Sequence, residues 1–302
     1  MATGDTPVVS VIIPAFNEER YIGVCIESVR RPKNVSVEII AVDDGSTDET
    51  GMVLRELEAE DLVALRIENS GAGVARNVGL SCANGSFISF LDADDFYQDD
   101  DALSWMVRAC SANGTSVCAS YRCEMRDGVV NDAGMFRELG RLSREGAVLD
   151  FSNYQFDFFF QSYIFERAFI ERHHLRFPAY RRYEDPPFLL RALDAASKFA
   201  IAPVTLHCYR KGHQDRLENG KHVCDSLKGV YDNLLFSLER GYGQMAKTSL
   251  GRCEAMFKKD ILTHPDLETV SMIKLINDIG LKAGLITENL PVVDELAKKM
   301  SL

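Results

Sequence analysis

From Val8 to Leu91 the chain alternates between two hydrophobic periods, a pattern that few folds accept. "VVSVIIP" (8–14), "SVEIIAV" (36–42), "LVALRIE" (62–68) and "SFISFL" (86–91) are short, β-rich apolar runs suited to strands. The first is continuous enough for a strand buried on both faces. Between them, "EERYIGVCIESVR" (18–30), "STDETGMVLRELEAE" (46–60) and "GVARNVGLSCA" (73–83) read as helices. Glu18 and Glu19 are expected in the first turn of the first helix, where the dipole favours acids, and Ser46 or Thr47 is expected to cap the second. Such alternation implies parallel strands joined by right-handed crossovers, hence an open α/β sheet. Ligands of these sheets bind beyond the carboxyl ends of the strands.

Four loops share that edge. Pro14-Ala15-Phe16-Asn17-Glu18 follows the first strand and Asp43-Asp44-Gly45-Ser46 the second. Asn69-Ser70-Gly71-Ala72-Gly73 follows the third, and Asp92-Ala93-Asp94-Asp95 the fourth. Carboxylates one residue apart repel unless a cation lies beside them. Mg²⁺ or Mn²⁺ suits oxygen ligands and keeps positions open for substrate phosphates. The competing reading of Asp92 and Asp94 is a solvated acidic loop. Asp43 or Asp44 can accept from a uracil N–H or from ribose hydroxyls; Asp44, Ser46 or Asp48 can equally cap the next helix. Gly71 and Gly73 let backbone approach a ligand closely, and Arg76 lies one turn further, placed to meet a base or phosphate. A spaced Gly-x-Gly-x-x-Gly is missing, which disfavours a dinucleotide-binding dehydrogenase. Asp99, Asp100 and Asp101 read as acids at the start of a helix over 99–111.

Composition narrows the classes. A length of 302 residues with 46% hydrophobic content is ample for a core, and a net charge of −11 argues against a nucleic-acid-binding surface. No apolar run approaches the ~20 residues a bilayer span needs. The N-terminus lacks the basic stretch of a secretory signal, so a cytoplasmic protein is expected. The eight cysteines form no Cys-x-x-Cys and read as reduced, buried thiols rather than a zinc site.

"VSVIIPAFNEERYIGVCIESV", "EIIAVDDGSTDET", "GVARNVGL" and "FISFLDADD" resemble, in the expected order over residues 8–100, the motifs of inverting glycosyltransferases of family 2. The fit continues more loosely to about residue 215. The resemblance implies a GT-A fold with a mixed, mostly parallel sheet flanked by helices. It implies a catalytic domain over 1–215, with a nucleotide half over about 1–100 and an acceptor half over about 101–215. Residues 216–302 match no motif and turn helical in composition, a C-terminal extension. The implied donor is a nucleotide-diphospho-sugar, a UDP-sugar by preference, and the implied acceptor a glycan, polysaccharide or lipid-linked molecule. That acceptor leaves open peripheral contact with the inner membrane face, and the tail leaves open a homodimer.

Roles carry over by position. The resemblance puts Phe16 against the nucleobase, with Pro14, Ala15 and Glu18 near the nucleotide. Asp43 and Asp44 would hold uracil or ribose, and Gly73 and Arg76 would help hold the nucleotide. Asp92 and Ala93 would lie at the ribose or donor sugar, and Asp94 would ligate the metal on the diphosphate. In "RRYEDPPFLLR", Asp185 is the preferred general base with Glu184 second; the competing reading is a cap for the helix that follows. "HCYRKGHQD" (207–215) brings Arg210 and Lys211 to the phosphates and His213 or His207 to the metal. His213 is preferred because it follows a flexible Lys-Gly, although Gln214-Asp215 stands where the family has a small hydroxyl residue. The aromatic stretch 151–165 reads mainly as core, with Gln161 or Tyr163 as groove residues. Two rivals remain: a catalytically silent nucleotide-sugar-binding module of the same fold, and a nucleotidyltransferase. The second would need a glycine-rich basic loop where "PAFNEER" stands.

Overall fold

A computed structural model describes residues 8–31, 34–132, 146–212 and 220–300. His213, Gln214 and Asp215 lie outside the described residues. The chain forms two compact units. The first takes Met1–Tyr154, Phe159–Phe177 and Arg191–Gln214; the second takes Gln155–Phe158, Pro178–Leu190 and Asp215–Leu302.

The first unit is built on one mixed sheet. Its opening strands are β1 (Val9–Ala15), β2 (Val37–Asp43), β3 (Leu62–Arg66) and β4 (Phe87–Phe90). They are followed by β5 (Phe96–Tyr97), β6 (Val117–Arg126), β7 (Val129–Asp132), β8 (Ala147–Asp150), β9 (Tyr163–Glu166) and β10 (Lys198–Lys211). The spatial order is β3-β2-β1-β4-β9-β6-β10-β5, with β7 beside β6 and β8 beside β10. β1 to β4 pair in parallel, as do β6 and β10, whereas β9 lies antiparallel to both β4 and β6. Every residue of β1 is buried, as a strand covered on both faces requires, and its one hydroxyl, Ser10, donates to Glu38 at 2.5 Å.

The helices α1 (Ile22–Arg30), α2 (Thr50–Glu56), α3 (Ala72–Cys82), α4 (Ala102–Asn113) and α5 (Arg167–Arg172) follow their strands. α1 turns Ile22, Cys25, Ile26 and Val29 onto the core. α3 lies so close to β1 that a Cβ on Gly79 would stand 2.4 Å from Ile12 Cγ2. This fit fixes the helix that carries Arg76.

Helix starts depart from the sequence reading. α1 has no acid in its first turn. The backbone amide of Glu18 donates instead to Thr50 Oγ1 at 2.8 Å, and Glu19 Oε2 accepts from the Glu49 amide at 2.8 Å. α2 begins at Thr50, and Ser46 does not cap it: Ser46 Oγ accepts from the Asn17 amide at 3.0 Å. Asp99, Asp100 and Asp101 also look outward from their helix. Asp99 Oδ2 accepts from the Thr205 amide at 2.8 Å, Asp100 pairs with Arg31 at 3.4 Å, and Asp101 accepts from Asn34. In each case a polar side chain bonds to a different segment, whether strand, helix start or loop, where the orphan groups of two segments can be satisfied at once.

The second unit is helical. It contains α7 (Gly220–Glu239), α8 (Gly243–Ala255), α9 (Lys258–Thr263), α10 (Leu267–Lys282) and α11 (Pro291–Met300). Leu227, Val230, Leu250, Ile273, Val292 and Leu296 contribute to its core. Asp266 caps α10 by accepting from the Thr269 amide at 2.8 Å. The unit also recruits 155–158 and 178–190, so it draws on more of the chain than the stretch beyond 215. The division falls inside α6 (Asp185–Ala196), between Leu190 and Arg191. Among the described residues, no helix is long and apolar enough to cross a membrane.

Candidate active site

The carboxyl ends of the parallel strands meet along one edge of the first unit. Ala15 pairs with Asp43 and Asp43 with Arg66, and the amide of Leu91 donates to the carbonyl of Ile12 at 3.1 Å. The loops that follow are knitted to one another. The Asp44 amide donates to the Ala15 carbonyl at 2.8 Å, and Asn17 Oδ1 accepts from the Thr47 amide at 2.8 Å. Phe16 stands at this edge 44% exposed, an unusual position for so large an apolar ring.

Asp43 and Asp44 are both buried, and both are engaged by protein groups. Asp43 accepts from the Ser46 amide at 2.8 Å and pairs with Arg66. Asp44 Oδ1 accepts from the Ser70 amide at 2.7 Å and Oδ2 from the Gly71 amide at 2.8 Å. Gly71 has φ +96°, a left-handed backbone that suits glycine, and α3 starts directly after it with buried Gly73 in its first turn. The second of these carboxylates therefore shapes the loop before α3, and lone pairs beyond those two bonds remain for a ligand.

The centre of the edge is the turn after β4. Asp92 accepts from Arg76 Nη2 at 2.6 Å and from Gln161 Nε2 at 2.6 Å. Burial pushes the Asp92 carboxyl pKa up, but the Arg76 charge and these hydrogen bonds outweigh it and hold the group below its ordinary value. Arg76 is only 4% exposed, with its guanidinium 4.6 Å from the Phe160 ring centre and 5.3 Å from that of Phe177. It thus stands behind Asp92 and orients it, rather than lying open to a base or phosphate. Phe90 packs on Phe160 and Phe177, with ring centres 5.6 and 5.1 Å away, so the strand and the arginine cage share one aromatic cluster. Most of the 151–165 stretch near this site is core, as Phe160, Tyr163 and Phe165 show, while Gln161 reaches the carboxylate.

Asp95 is the deepest of the three turn carboxylates. Its Oδ2 lies 2.7 Å from His207 Nε2, and its Oδ1 accepts from the Arg210 amide at 2.7 Å. Burial raises the Asp95 pKa, with His207 opposing. His207 Nδ1 is buried without a hydrogen-bond partner among the described residues. His207 is therefore committed to Asp95. Arg210 Nε donates to the Asp94 carbonyl at 2.8 Å, and its guanidinium lies 4.8 Å from the Tyr21 ring centre and 5.4 Å from that of Phe96. Beneath the turn, Cys25 Sγ approaches the Asp92 carbonyl at 3.6 Å, and burial together with Asp95, Asp94 and Asp92 pushes its thiol well up.

The family model for glycosyl transferase family 2 matches residues 10–172, more than half of the chain. The chain belongs to glycosyltransferase family 2. The Bacillus subtilis protein EpsH is 30% identical over 212 residues, 68% of this chain and 61% of its own length. The Rhizobium meliloti succinoglycan biosynthesis protein ExoO is 31% identical over 235 residues, 74% of this chain and 66% of its own length. The chain thus spans about three fifths to two thirds of the length of these relatives. In shape it matches S. aureus TarS 1–349 in complex with UDP-GlcNAc at a TM-score of 0.70 and 20% identity. That match covers 90% of this chain and 80% of the TarS chain. The complex of the same protein with UDP also gives 0.70 and 20%, over 91% and 80% of the two chains. The sheet and its flanking helices are the GT-A fold.

The family motifs fall on the edge just described: Pro14 to Glu18, Asp43 and Asp44, Gly73 and Arg76, then Asp92 to Asp94, with Arg210 beside them. Among the described residues no three His, Cys, Asp or Glu side chains converge as a metal cage. Asp92 is bound to Arg76 and Gln161, and Asp95 to His207, while Asp94 is buried between them in the same turn. Mg²⁺ and Mn²⁺ take one or two protein carboxylates and complete their octahedron with substrate phosphates and water, so one aspartate here fits such an ion. Glu184 and Asp185 belong to the second unit, where Asp185 opens α6 and Glu184 is buried beside it. Sequence reasoning missed Tyr21, Phe96 and Phe177, whose rings flank the two arginines. Tyr21 follows a charged Glu-Glu-Arg stretch, Phe96 follows the acidic turn and Phe177 precedes a proline, and nothing in these neighbours signals an arginine partner.

Proposed function

We propose that this chain transfers a sugar from a nucleotide-diphospho-sugar, a UDP-sugar by preference, to a hydroxyl of a glycan, polysaccharide or lipid-linked acceptor, with inversion. The observation that carries the reading is Asp92, held ionised by Arg76 and Gln161 at the strand edge where the family motifs meet. Succinoglycan biosynthesis in the name of ExoO, and UDP-GlcNAc in the TarS complex, support a saccharide product and a UDP donor.

Phe16 covers one face of the base, and Asp43 or Asp44 accepts from uracil or ribose. Asp92, oriented by Arg76, accepts from donor-sugar or ribose hydroxyls. Arg210 sets positive charge beside the turn, where the diphosphate would rest. Asp94 would hold a Mg²⁺ or Mn²⁺ ion, which supplies charge neutralisation for the departing diphosphate. Asp185 takes the proton of the acceptor hydroxyl as that oxygen bonds to the anomeric carbon. The bond from that carbon to the UDP oxygen breaks, and UDP leaves with the electron pair. Glu184, the residue before it, is the second candidate for that base.

The test is UDP binding by calorimetry, with and without Mn²⁺, together with UDP release from a panel of UDP-sugars. Asp94→Asn is expected to remove the Mn²⁺-dependent part of UDP affinity and to cut turnover at least about 100-fold. Parental turnover in that variant would overturn the metal role. No UDP binding by the parent would overturn the donor assignment.

A further inference from the structure

The segment that leads to Glu184 and Asp185 is held by the C-terminal helices. Tyr183 has φ +65°, a left-handed backbone that a bulky side chain adopts only when its surroundings impose it. Its hydroxyl accepts from Arg252 Nη1, on α8. Arg252 Nη1 also donates to Asp157 Oδ2 at 2.7 Å, its Nη2 donates to Asp157 Oδ1, and Asn233 Nδ2 on α7 donates to the same carboxylate at 2.7 Å. The Tyr183 ring meets Phe257 edge-on with centres 5.4 Å apart. Gly229 of α7 also lies against it, where a Cβ would stand 2.6 Å from both Tyr183 Cδ1 and the Tyr183 carbonyl oxygen. Just upstream, the Tyr180 hydroxyl donates to Asp232 Oδ2 at 2.9 Å, and the Arg181 amide donates to Asp225 Oδ2 at 3.0 Å. Asp225 and Asp232 both lie on α7. Downstream come Pro186 and Pro187, whose rings restrict the backbone at Asp185 and stiffen the first turn of α6.

We infer that the helical tail is a positioning device for the acceptor-side carboxylates, with Arg252 and Tyr183 as positioning residues. This rests on the reading of Asp185 as the base. A buried pair that only stabilised the tail would be complete with Arg252 and Asp157; it would not need the Tyr183 hydroxyl. Glu184 and Asp185 stand between a tyrosine locked in a rare backbone conformation and two prolines, so their direction is set by what holds that tyrosine. α7 and α8 supply those holds.

The test uses the full chain with Tyr183→Phe, which keeps the ring and removes the hydroxyl, and Arg252→Lys, which keeps the charge. Turnover is read as UDP release from UDP-sugars in Mn²⁺. Tyr183→Phe is expected to lower kcat about 10-fold or more, with KM for the donor within about twofold, because small misplacements of a reacting group cost rate rather than donor binding. In an Asp185→Asn background the same change is expected to have no further effect, which a purely structural role would not produce. Parental kcat in Tyr183→Phe overturns the inference, and this variant decides the matter should Arg252→Lys fail to fold. Parental turnover in Asp185→Asn overturns the base reading instead. A parent inactive on every UDP-sugar overturns the proposed activity. Hydrogen exchange still decides the positioning: the Tyr183, Glu184 and Asp185 amides should exchange about 10-fold faster in Tyr183→Phe, with α3 unchanged, and unaltered exchange overturns it.

Discussion

Arg76 is buried, and the half-buried Asp92 supplies a charged acceptor for its guanidinium. Removing the carboxylate charge leaves a buried guanidinium on its aromatic cage with a weaker acceptor. Asp92→Asn is therefore expected to destabilise the fold by about 1.5–3 kcal/mol, the range for hydrogen bonds to charged groups, read by urea unfolding. The pH dependence has a definite sign. The folded pKa of Asp92 lies below its ordinary value, so the pair contributes fully above that value and is lost as pH falls through the folded one. The deficit of Asp92→Asn should stay flat from pH 7 to about 4 and shrink only below that. A deficit that has already closed by about pH 5 would show that Asp92 is not held ionised. Asp92 stands out in the sequence because its motif is local; of Gln161 and Tyr163, both expected as groove residues, Gln161 reaches Asp92 whereas Tyr163 is core. The cage of Phe160 and Phe177 was not legible, since ring contacts between distant segments leave no trace in spacing.

At the scale of elements, hydrophobic period identified the strands and helices of the first hundred or so residues, because each buries one face or both. Helix starts were misread because the acids and hydroxyls near Glu18, Ser46 and Asp99 serve the adjoining loops, and a cap and a loop bond demand the same residue types. Glycines separate in a similar way. Gly79 sits where α3 touches β1, and Gly79→Ala should cost about 1–3 kcal/mol as the new methyl meets Ile12. At Gly23 on α1 an added methyl would find nothing within 4 Å, and Gly23→Ala should stabilise by about 0.5–1 kcal/mol through helix propensity. Urea midpoints read both. Equal effects at the two positions would mean that α3 does not depend on its close approach to β1.

At the scale of the molecule, motif order marked out the sheet and its edge, whereas the second unit was legible only as a helical tail. Its membership is discontinuous. Phe158 and Tyr183 pack with Arg252 and Phe257 of the tail, and a sequence read in order cannot pair segments so far apart. A chain ending at residue 215 would keep 155–158 and 178–190 while losing the helices that bury them. It would expose the Tyr183 and Phe158 rings and leave Asp157 charged without Arg252 or Asn233. Removing one partner of a buried ion pair costs about 3–5 kcal/mol, a large share of the roughly 5–15 kcal/mol that holds a domain folded. The truncated chain is therefore expected to be cut by trypsin within 178–190, at Arg181 or Arg182, far faster than the intact chain. Peptide mapping of a timed digest reads this directly. Equal resistance of that segment in both chains would show that the first 215 residues hold it without the helices.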